Sequence, residues 1–320
     1  MHEFELIKTL FLPLAKDRGE AGGFINDGAC LNVPEDRELV VTSDTMNADV
    51  HFFADQDAGD IAHKALRSNI SDVIAMGAQP LCYQLCLALP KVEEGWLRDF
   101  TAALAADNDL YGIFCSGGDT TSIKGGISVS IAAFGLVDRG CSLTRSGAKA
   151  GDVILLSGTV GDAYCGLQYL RGEMKGVPEA CVRRYAVPDP PASMVSLLGG
   201  GGVHAGLDIS DGLMADLGHI ASASNLHAVV QAEEINFSND VASLLACGGV
   251  SLQELLCGGD DYQLLLSVSQ ECADELVVKA AKLGVRLQTI GRFESGAPGV
   301  TALGKGGKKI TFDRIGWQHF

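Results

Sequence analysis

Short apolar stretches alternate with longer stretches of helical periodicity along this chain, and this alternation constrains its fold more than any other feature. In the first half, strand-like stretches at 28–33, 38–44, 81–89, 113–115 and 127–137 are interrupted by helical patterns at 57–77 and 93–111. The second half repeats the pattern, with helices at 161–171, 212–225 and 270–283 and strands at 204–209, 261–268 and 285–290. Such an alternation predicts an α/β (α+β) fold.

The length of the chain predicts two domains. A chain of 320 residues exceeds the usual size of a single hydrophobic core. A polar, glycine-bearing stretch at 138–152 separates the two halves, and the apolar segment VILLSG begins directly after it. We therefore place the boundary near residue 145, with an N-terminal domain at 1–145 and a C-terminal domain at 146–320.

Charge and hydropathy exclude several classes of partner. The formal net charge of −16 argues against a nucleic-acid backbone or an anionic membrane. No apolar run reaches the length that spans a bilayer, and the first twenty residues show the pattern of an amphipathic helix, not of a signal peptide. The ten cysteines form no CxxC pair, so Cys30, Cys82 and Cys86 are expected to be small buried hydrophobes. Together these features predict a cytoplasmic protein.

The segment GLDISDGLMADL (206–217) contains two aspartates, Asp208 and Asp211, three residues apart at the junction of a predicted strand and a predicted helix. Ser210 or Asp211 can cap the helix that begins near Leu213. One cap needs one residue, however, and two carboxylates about 4 Å apart repel by about 1 kcal/mol in water and about 4 kcal/mol at an effective dielectric of 20. Asp208 and Asp211 therefore leave two interpretations open, a helix cap and a metal site.

Four further aspartates each have a structural interpretation when taken alone. Asp27, Asp44 and Asp119 each lie where an apolar strand is predicted to end, and Asp27 and Asp44 taken alone suit turns. Asp72 lies on a helical row and taken alone suits a solvated helix face. Taken together, carboxylates beside hydroxyls without clustered histidines favour several Mg²⁺ ions around a polyphosphate. Neither GKGGKK (304–309) nor GGGGVHAG (199–206) matches a P-loop or a dinucleotide fingerprint. Any ATP must bind through another architecture.

At this point the chain resembles a known family, thiamine-monophosphate kinase, within the superfamily of aminoimidazole ribonucleotide synthetase. The resemblance runs nearly end to end and rests on VVTSDTMNADVHF (40–52), KALRSNISDVIAMGAQP (64–80), GGDTT (117–121), RSGAKAGDVILLSGTVGDA (145–163), GLDISDGLMADL, GGDDYQL (258–264) and GWQHF (316–320). The order of the SNISD helix, DISDGL and GWQHF is specific to the family.

The resemblance implies a two-domain fold and a reaction. It implies that the N-terminal α/β domain binds ATP and Mg²⁺ and forms a homodimer through its sheet, and that a C-terminal α/β domain follows. It also implies transfer of a phosphoryl group from ATP to thiamine monophosphate, without a covalent phosphoenzyme. Another ATP-using reaction of the superfamily, such as ring closure, and a non-catalytic nucleotide-binding paralogue remain the alternatives.

The resemblance also assigns roles to individual residues. As Mg²⁺ ligands it implies Asp27, Asp44, Asp72, Asp119, Asp208 and Asp211, with Ser210 beside them in the catalytic loop. As nucleotide contacts it implies Ser43, Gly118, Thr120 and Arg145, and on the substrate side His51, Asp260, Tyr262 and Trp317. This chain departs from the family pattern at Gly28, where a second aspartate is common, and at Asp260, where a glutamate is common.

Overall fold

The computed structural model describes residues 3–199 and 201–317, which form two compact units. The first unit comprises Met1–Val73 and Ala78–Gly140, and the second comprises Ile74–Gly77 and Cys141–Phe320. Residue 200 and the last three residues of the GWQHF motif lie outside the described residues. Among the helices that are described, none combines the length and the apolar character that a membrane crossing requires.

The N-terminal segment is less regular than the predicted amphipathic helix. A short helix α1 (Glu3–Leu6) continues as a π-helical turn (Ile7–Phe11) and a 3-10 turn (Leu12–Ala15), and a second 3-10 segment spans Gly19–Phe24. Pro13 explains the change of helix type, since proline lacks the N–H that an α-helix needs at an interior position. Ala15 and Ala21 of this segment pack against Cys82 and Phe114.

The first unit contains a four-stranded sheet, helix α3 (Glu94–Tyr111) and helix α2 (Ala58–Ala75) as far as Val73. Its strands are β1 (Arg37–Asn47), β2 (Gln79–Leu89), β3 (Phe114–Ser122) and β4 (Ser128–Asp138). The order is β1-β4-β2-β3, and only the β2–β3 pair is parallel. The predicted strand at 28–33 is wrong, because these residues form a loop.

The second unit contains a six-stranded sheet of order β10-β7-β9-β5-β8-β6, in which the β10–β7 pair is parallel and the other pairs are antiparallel. The strands are β5 (Val153–Ser157), β6 (Val203–Asp208), β7 (His227–Gln231), β8 (Leu264–Val268), β9 (Leu287–Glu294) and β10 (Gly299–Leu303). The helices are α4 (Asp162–Leu170), α5 (Glu179–Ala186), α6 (Val195–Leu198), α7 (Leu213–Ala223), α8 (Asn239–Ala246), α9 (Leu252–Cys257) and α10 (Gln270–Lys282). Sheets with helices in both units confirm the predicted α/β (α+β) class.

Helix α7 is held in place by an apolar face. Leu213, Leu217 and Ile220 are completely buried in one cluster with Ile154 and Leu156 of β5. Burial of each such side chain contributes about 1.5–3 kcal/mol to stability. This packing fixes the start of α7 directly after the end of β6, where the DISDG motif lies.

The cysteines are less uniformly buried than predicted. Cys82 is buried, whereas Cys30 and Cys86 are exposed. Cys86 lies on β2 opposite Asp119 of β3, and Cys30 lies in the loop that replaces the predicted strand. The prediction of a buried hydrophobe is therefore wrong for Cys30 and Cys86.

Candidate functional site

The DISDG motif forms the loop between β6 and α7. Asp208 is the last residue of β6 and is buried, with 2% of its surface exposed. Asp211 is half-buried and Ser210 is exposed. Asp208 therefore lies at a strand end as predicted. The same expectation is wrong for Asp44 and Asp119, because β1 and β3 each continue for three residues beyond them.

A carboxylate that sequence reasoning missed closes this loop. Asp216, on the first turn of α7, accepts hydrogen bonds at its Oδ2 from the backbone N–H groups of Ser210, Asp211 and Gly212, at 3.1, 3.0 and 3.0 Å. The N-cap residue is Gly212, and no side chain caps the helix there. The interpretation of Ser210 or Asp211 as the helix cap is therefore wrong.

The electrostatics of the loop favour a cation. Burial and, to a smaller extent, the charge of Asp211 raise the pKa of Asp216 to about 7, although the three backbone hydrogen bonds act to lower it. Amides at a helix N-terminus normally form an anion site. Here the Asp216 carboxylate already accepts hydrogen bonds from three of these amides, so they are not free to bind an anion.

The GGDDY motif lies directly against the DISDG loop. The backbone N–H of Asp260 donates to the carbonyl of Ser210 at 2.9 Å, and that of Tyr262 donates to the carbonyl of Ile209 at 2.7 Å. A β-carbon on Gly259 would lie 2.1 Å from the Ser210 carbonyl oxygen, so only glycine permits this approach. The DISDG and GGDDY loops are therefore packed and hydrogen-bonded to each other.

Backbone strain accompanies this contact. Asp260 and Tyr262 adopt φ angles of +67° and +51°, in the left-handed region that non-glycine residues rarely occupy. The Tyr262 hydroxyl donates to Asp260 Oδ1 at 3.2 Å, and Tyr262 is only 6% exposed. Tyr262 therefore orients the Asp260 carboxylate.

Asp261 is a second carboxylate that sequence reasoning missed. It is buried, and its Oδ1 and Oδ2 accept from the backbone N–H of Gly161, just before α4, at 2.9 and 3.1 Å. Burial raises the pKa of Asp261 well above its usual value. Asp261 thus connects the GGDDY loop to residues 159–163 (TVGDA). The doubled aspartate in GGDDY was the sequence signal for this contact.

The C-terminal segment returns to the same loop. The backbone N–H of Trp317 donates to the carbonyl of Asp211 at 3.0 Å, and a β-carbon on Gly316 would lie 2.4 Å from Cβ of Ala215. Trp317 is 42% exposed, with the Arg314 guanidinium 5.4 Å from its ring centroid. The Trp317 side chain is therefore partly exposed, although the backbone is anchored beside Asp211.

In the first unit, Asp44 and Asp72 lie at one contact between β1 and α2. Thr42 donates its hydroxyl to Asp72 Oδ2 at 2.7 Å, and the backbone N–H of Asp44 donates to Asn69 Oδ1 at 3.1 Å. Thr42 and Asp44 share one face of β1 because strand side chains alternate. Burial raises the pKa of Asp44. Asp72 does not lie on a solvated helix face, because it is half-buried and bonded to the sheet.

A pocket of about 370 Å³ in the first unit is lined by Asp27, Gly118, Asp119 and Thr120 together with apolar side chains that include Phe11. Gly118 has a φ of +153°, and a β-carbon there would lie 1.7 Å from the Leu85 carbonyl oxygen. Glycine is thus required at position 118 by the packing of β3 against β2. The pocket brings four of the predicted residues together.

Three predicted residues lie apart from these groups. Ser43 is exposed on the face of β1 opposite Asp44. His51 accepts the backbone N–H of Asn47 at its Nδ1, at 3.0 Å, and so closes a turn. Arg145 is exposed in the second unit, where its carbonyl accepts the Ser224 hydroxyl at 2.8 Å.

Comparisons with known proteins identify the family. The families described as AIR synthase related protein, N-terminal domain and C-terminal domain, match residues 25–137 and 149–302. Thiamine-monophosphate kinase of Salmonella typhimurium is 36% identical and the alignment covers 99% of this chain and 98% of that protein. The enzyme of the same name from Caulobacter vibrioides is 36% identical, with 99% and 90% covered.

Solved structures agree with the sequence matches. The crystal structure of thiamine-monophosphate kinase from Stenotrophomonas maltophilia has a TM-score of 0.85 and 36% identity, and covers 97% of this chain and 98% of that chain. A structure described as AaThiL complexed with AMPPCP and TMP has a TM-score of 0.79 and 29% identity, with 99% and 97% covered. The chain belongs to the thiamine-monophosphate kinase family of the AIR synthase related proteins.

Proposed function

We propose that this chain catalyses ATP-dependent phosphorylation of thiamine monophosphate to thiamine diphosphate. The observation that carries the proposal is the DISDG loop, in which three backbone N–H groups donate to Asp216 and which contains the buried Asp208 and the half-buried Asp211. The names of the full-length relatives and the AMPPCP and TMP bound to AaThiL support the same reaction.

The chemistry requires placement and charge neutralisation more than a strong base. An acceptor phosphate oxygen is already ionised near neutral pH, so we assign no general base to this chain. The donor set of Asp208 and Asp211 consists of carboxylate oxygens, which suit Mg²⁺. Bound Mg²⁺ supplies charge neutralisation between the two phosphate groups. Asp208 is held by β6 and Asp211 by the Asp216 hydrogen bond, so both are fixed before substrates bind.

The first unit provides a second set of carboxylates for the nucleotide. We assign Asp27, Asp44, Asp72 and Asp119 as metal ligands, and Ser43, Gly118, Thr120 and Arg145 as nucleotide contacts. The arrangement of Asp27, Gly118, Asp119 and Thr120 around one pocket supports this assignment. Because Gly28 stands where the family commonly has a second aspartate, we assign Asp27 as the one metal ligand of this pair of positions.

The substrate side is assigned to His51, Asp260, Tyr262 and Trp317. An exposed indole suits a flat pyrimidine or a thiazolium cation, and Trp317 is 42% exposed. Asp260 is presented beside the DISDG loop by its hydrogen bond with Tyr262.

We further propose a cytoplasmic homodimer that forms through the sheet of the first unit. Within the described residues, β1 is an edge strand with β4 as its neighbour, and Val41 on it is 54% exposed. An eleven-residue edge strand with an exposed apolar side chain is a common site of association. Light scattering after size exclusion is expected to show a dimer for the parent and a monomer for Val41→Lys. Val278→Lys, on α10, is the matched control.

Incubation of the purified chain with ATP, Mg²⁺ and thiamine monophosphate tests the proposed reaction. We expect stoichiometric thiamine diphosphate and ADP, no product in EDTA, and recovery when Mg²⁺ is restored. Asp211→Asn is expected to be inactive, whereas Asp274→Asn, an exposed aspartate on α10, serves as the matched control. Nucleotide binding without turnover would indicate a non-catalytic paralogue, and turnover of another acceptor only would indicate a different superfamily reaction. Either result overturns the proposal.

A further inference from the structure

The segment TRSGAK (144–149) lies against strand β6 in the second unit. Within the described residues, β6 is the last strand of its sheet, so one of its sides has no strand beside it. The carbonyl of Thr144 accepts the backbone N–H of Gly206 there, at 3.4 Å. A β-carbon on Gly147 would lie 1.8 Å from the His204 carbonyl oxygen. The TRSGAK segment therefore packs directly on the strand, at a distance that only glycine permits.

A buried carboxylate holds the end of the TRSGAK segment. Asp152 accepts hydrogen bonds from the Lys149 backbone N–H at 2.9 Å and from the Ser267 hydroxyl at 2.6 Å. His204 Nδ1 lies 3.0 and 2.9 Å from its two oxygens, and His204 Nε2 lies 3.0 Å from Lys149 Nζ. A lysine ammonium can only donate, so Nε2 accepts and Nδ1 donates its proton to Asp152. Lys149 is therefore held through both its backbone and its side chain.

Ser224, the C-cap residue of α7, holds the beginning of the TRSGAK segment. Its hydroxyl donates to the carbonyl of Arg145 at 2.8 Å and accepts the backbone N–H of Ala148 at 3.2 Å. One side chain thus closes the turn from Arg145 to Ala148. The backbone of Arg145 is fixed in this way, whereas its side chain is exposed.

A fixed backbone with an exposed side chain suits a residue that contacts a ligand. Binding fixes a mobile segment at a cost in conformational entropy, and a segment that is already ordered avoids this cost. The same helix α7 begins at Leu213, directly after the DISDG loop, and ends beside Ser224. One helix therefore joins the DISDG loop to the segment that carries Arg145.

We propose that Ser224 is a positioning residue for ATP binding, which acts by fixing the backbone of Arg145. The inference rests on the proposed function, because it takes Arg145 as a nucleotide contact. Loss of the Ser224 hydroxyl frees the turn from Arg145 to Ala148, while Asp152 and His204 still hold Lys149. The expected effect is therefore on ATP affinity and not on the folding of the chain.

Calorimetric titration with ATP and Mg²⁺, without thiamine monophosphate, tests the proposal. Ser224→Ala is expected to raise the Kd for ATP at least fivefold, and Ser224→Thr, which keeps a hydroxyl, is expected to return it to within twofold of the parent. Ser222→Ala is the matched control, because Ser222 is an exposed serine on the same helix. It should bind ATP as the parent does. Thermal melts establish that each protein is folded.

A double-mutant cycle with Arg145→Ala separates positioning from a general structural role. Arg145→Ala is expected to weaken ATP binding at least tenfold, and adding Ser224→Ala should then weaken it less than twofold further. Equal weakening by Ser224→Ala in both backgrounds overturns the proposal, as does parental ATP affinity in either single variant. A chain that binds no ATP overturns this inference and the proposed function together. ATP binding with the expected coupling, but without formation of thiamine diphosphate, would overturn the proposed function and not this inference.

Discussion

Replacement of Gly259 by alanine tests whether the contact between the GGDDY and DISDG loops positions the site. The added β-carbon would lie 2.1 Å from the carbonyl oxygen of Ser210 and 3.1 Å from its carbonyl carbon. Both obstacles are backbone atoms, so no side-chain rotation relieves the overlap. The two loops must therefore separate by about 1 Å to reach an acceptable contact distance.

That separation removes two backbone hydrogen bonds. The bond from Asp260 to Ser210 is 2.9 Å long and the bond from Tyr262 to Ile209 is 2.7 Å long, and both lie next to Gly259. Each bond lost with its partners still buried costs about 1–3 kcal/mol, so we expect the free energy of unfolding to fall by about 2–6 kcal/mol. A shift of about 1 Å in a catalytic loop lowers the rate by about 100-fold.

Urea unfolding and steady-state turnover of the same preparations measure both effects. Gly199→Ala is the matched control, because Gly199 has a φ of −73° and no atom within 4 Å of an added β-carbon. Its expected effect is less than about 1 kcal/mol, with parental turnover. A Gly259→Ala protein with parental stability and parental kcat/KM would refute the reasoning that the close approach of the loops is needed.

Three further predictions concern the DISDG and GGDDY loops and the C-terminal segment beside them. Asp211→Asn is expected to lower turnover more than about 100-fold while the free energy of unfolding stays within about 1 kcal/mol, since its side chain does not cap α7; a collapsed thermal melt with normal turnover would contradict this. Because burial raises the pKa of Asp261, the folded chain holds a proton that the unfolded chain releases above about pH 4, so stability falls as the pH rises toward the raised pKa. Asp261→Asn should flatten that fall in denaturant melts between pH 4 and 7, and an unchanged slope would count against it. Trp317→Ala is expected to weaken thiamine monophosphate binding by about 1–3 kcal/mol in calorimetry with ATP affinity preserved, whereas equal affinities with a lower melting temperature would leave Trp317 only an anchoring role.

Local patterns predicted the element boundaries on either side of the DISDG loop to within one residue. The end of β6 at Asp208 and the start of α7 at Leu213 follow from an apolar run and a helical period, both of which are properties of neighbouring residues. The ends of β1 and β3 did not follow in the same way. Asp44 and Asp119 are inside these strands because pairing with β4 and β2 extends them, and those partners are distant in sequence.

The carboxylates that fix the loops by hydrogen bonds, Asp216 and Asp261, were harder to predict than the candidate site residues in the motifs. Asp216 has the sequence signature of an ordinary acidic residue in the first turn of a helix. Its role depends on the chain folding back so that three amides point at one carboxylate. Asp261 likewise acts on Gly161, one hundred residues away, and no local pattern reports such a contact.

The hydrogen bonds from the DISDG loop to Asp216 also affect the thermodynamics of ligand capture. A loop that is free in the absence of ligand loses conformational entropy when it closes around an ion, at about 1–2 kcal/mol for each residue that becomes fixed. Here Ser210, Asp211 and Gly212 are already fixed by the fold. Cation binding at this loop is therefore expected to be dominated by release of ordered water, with a favourable entropy and little change in backbone dynamics.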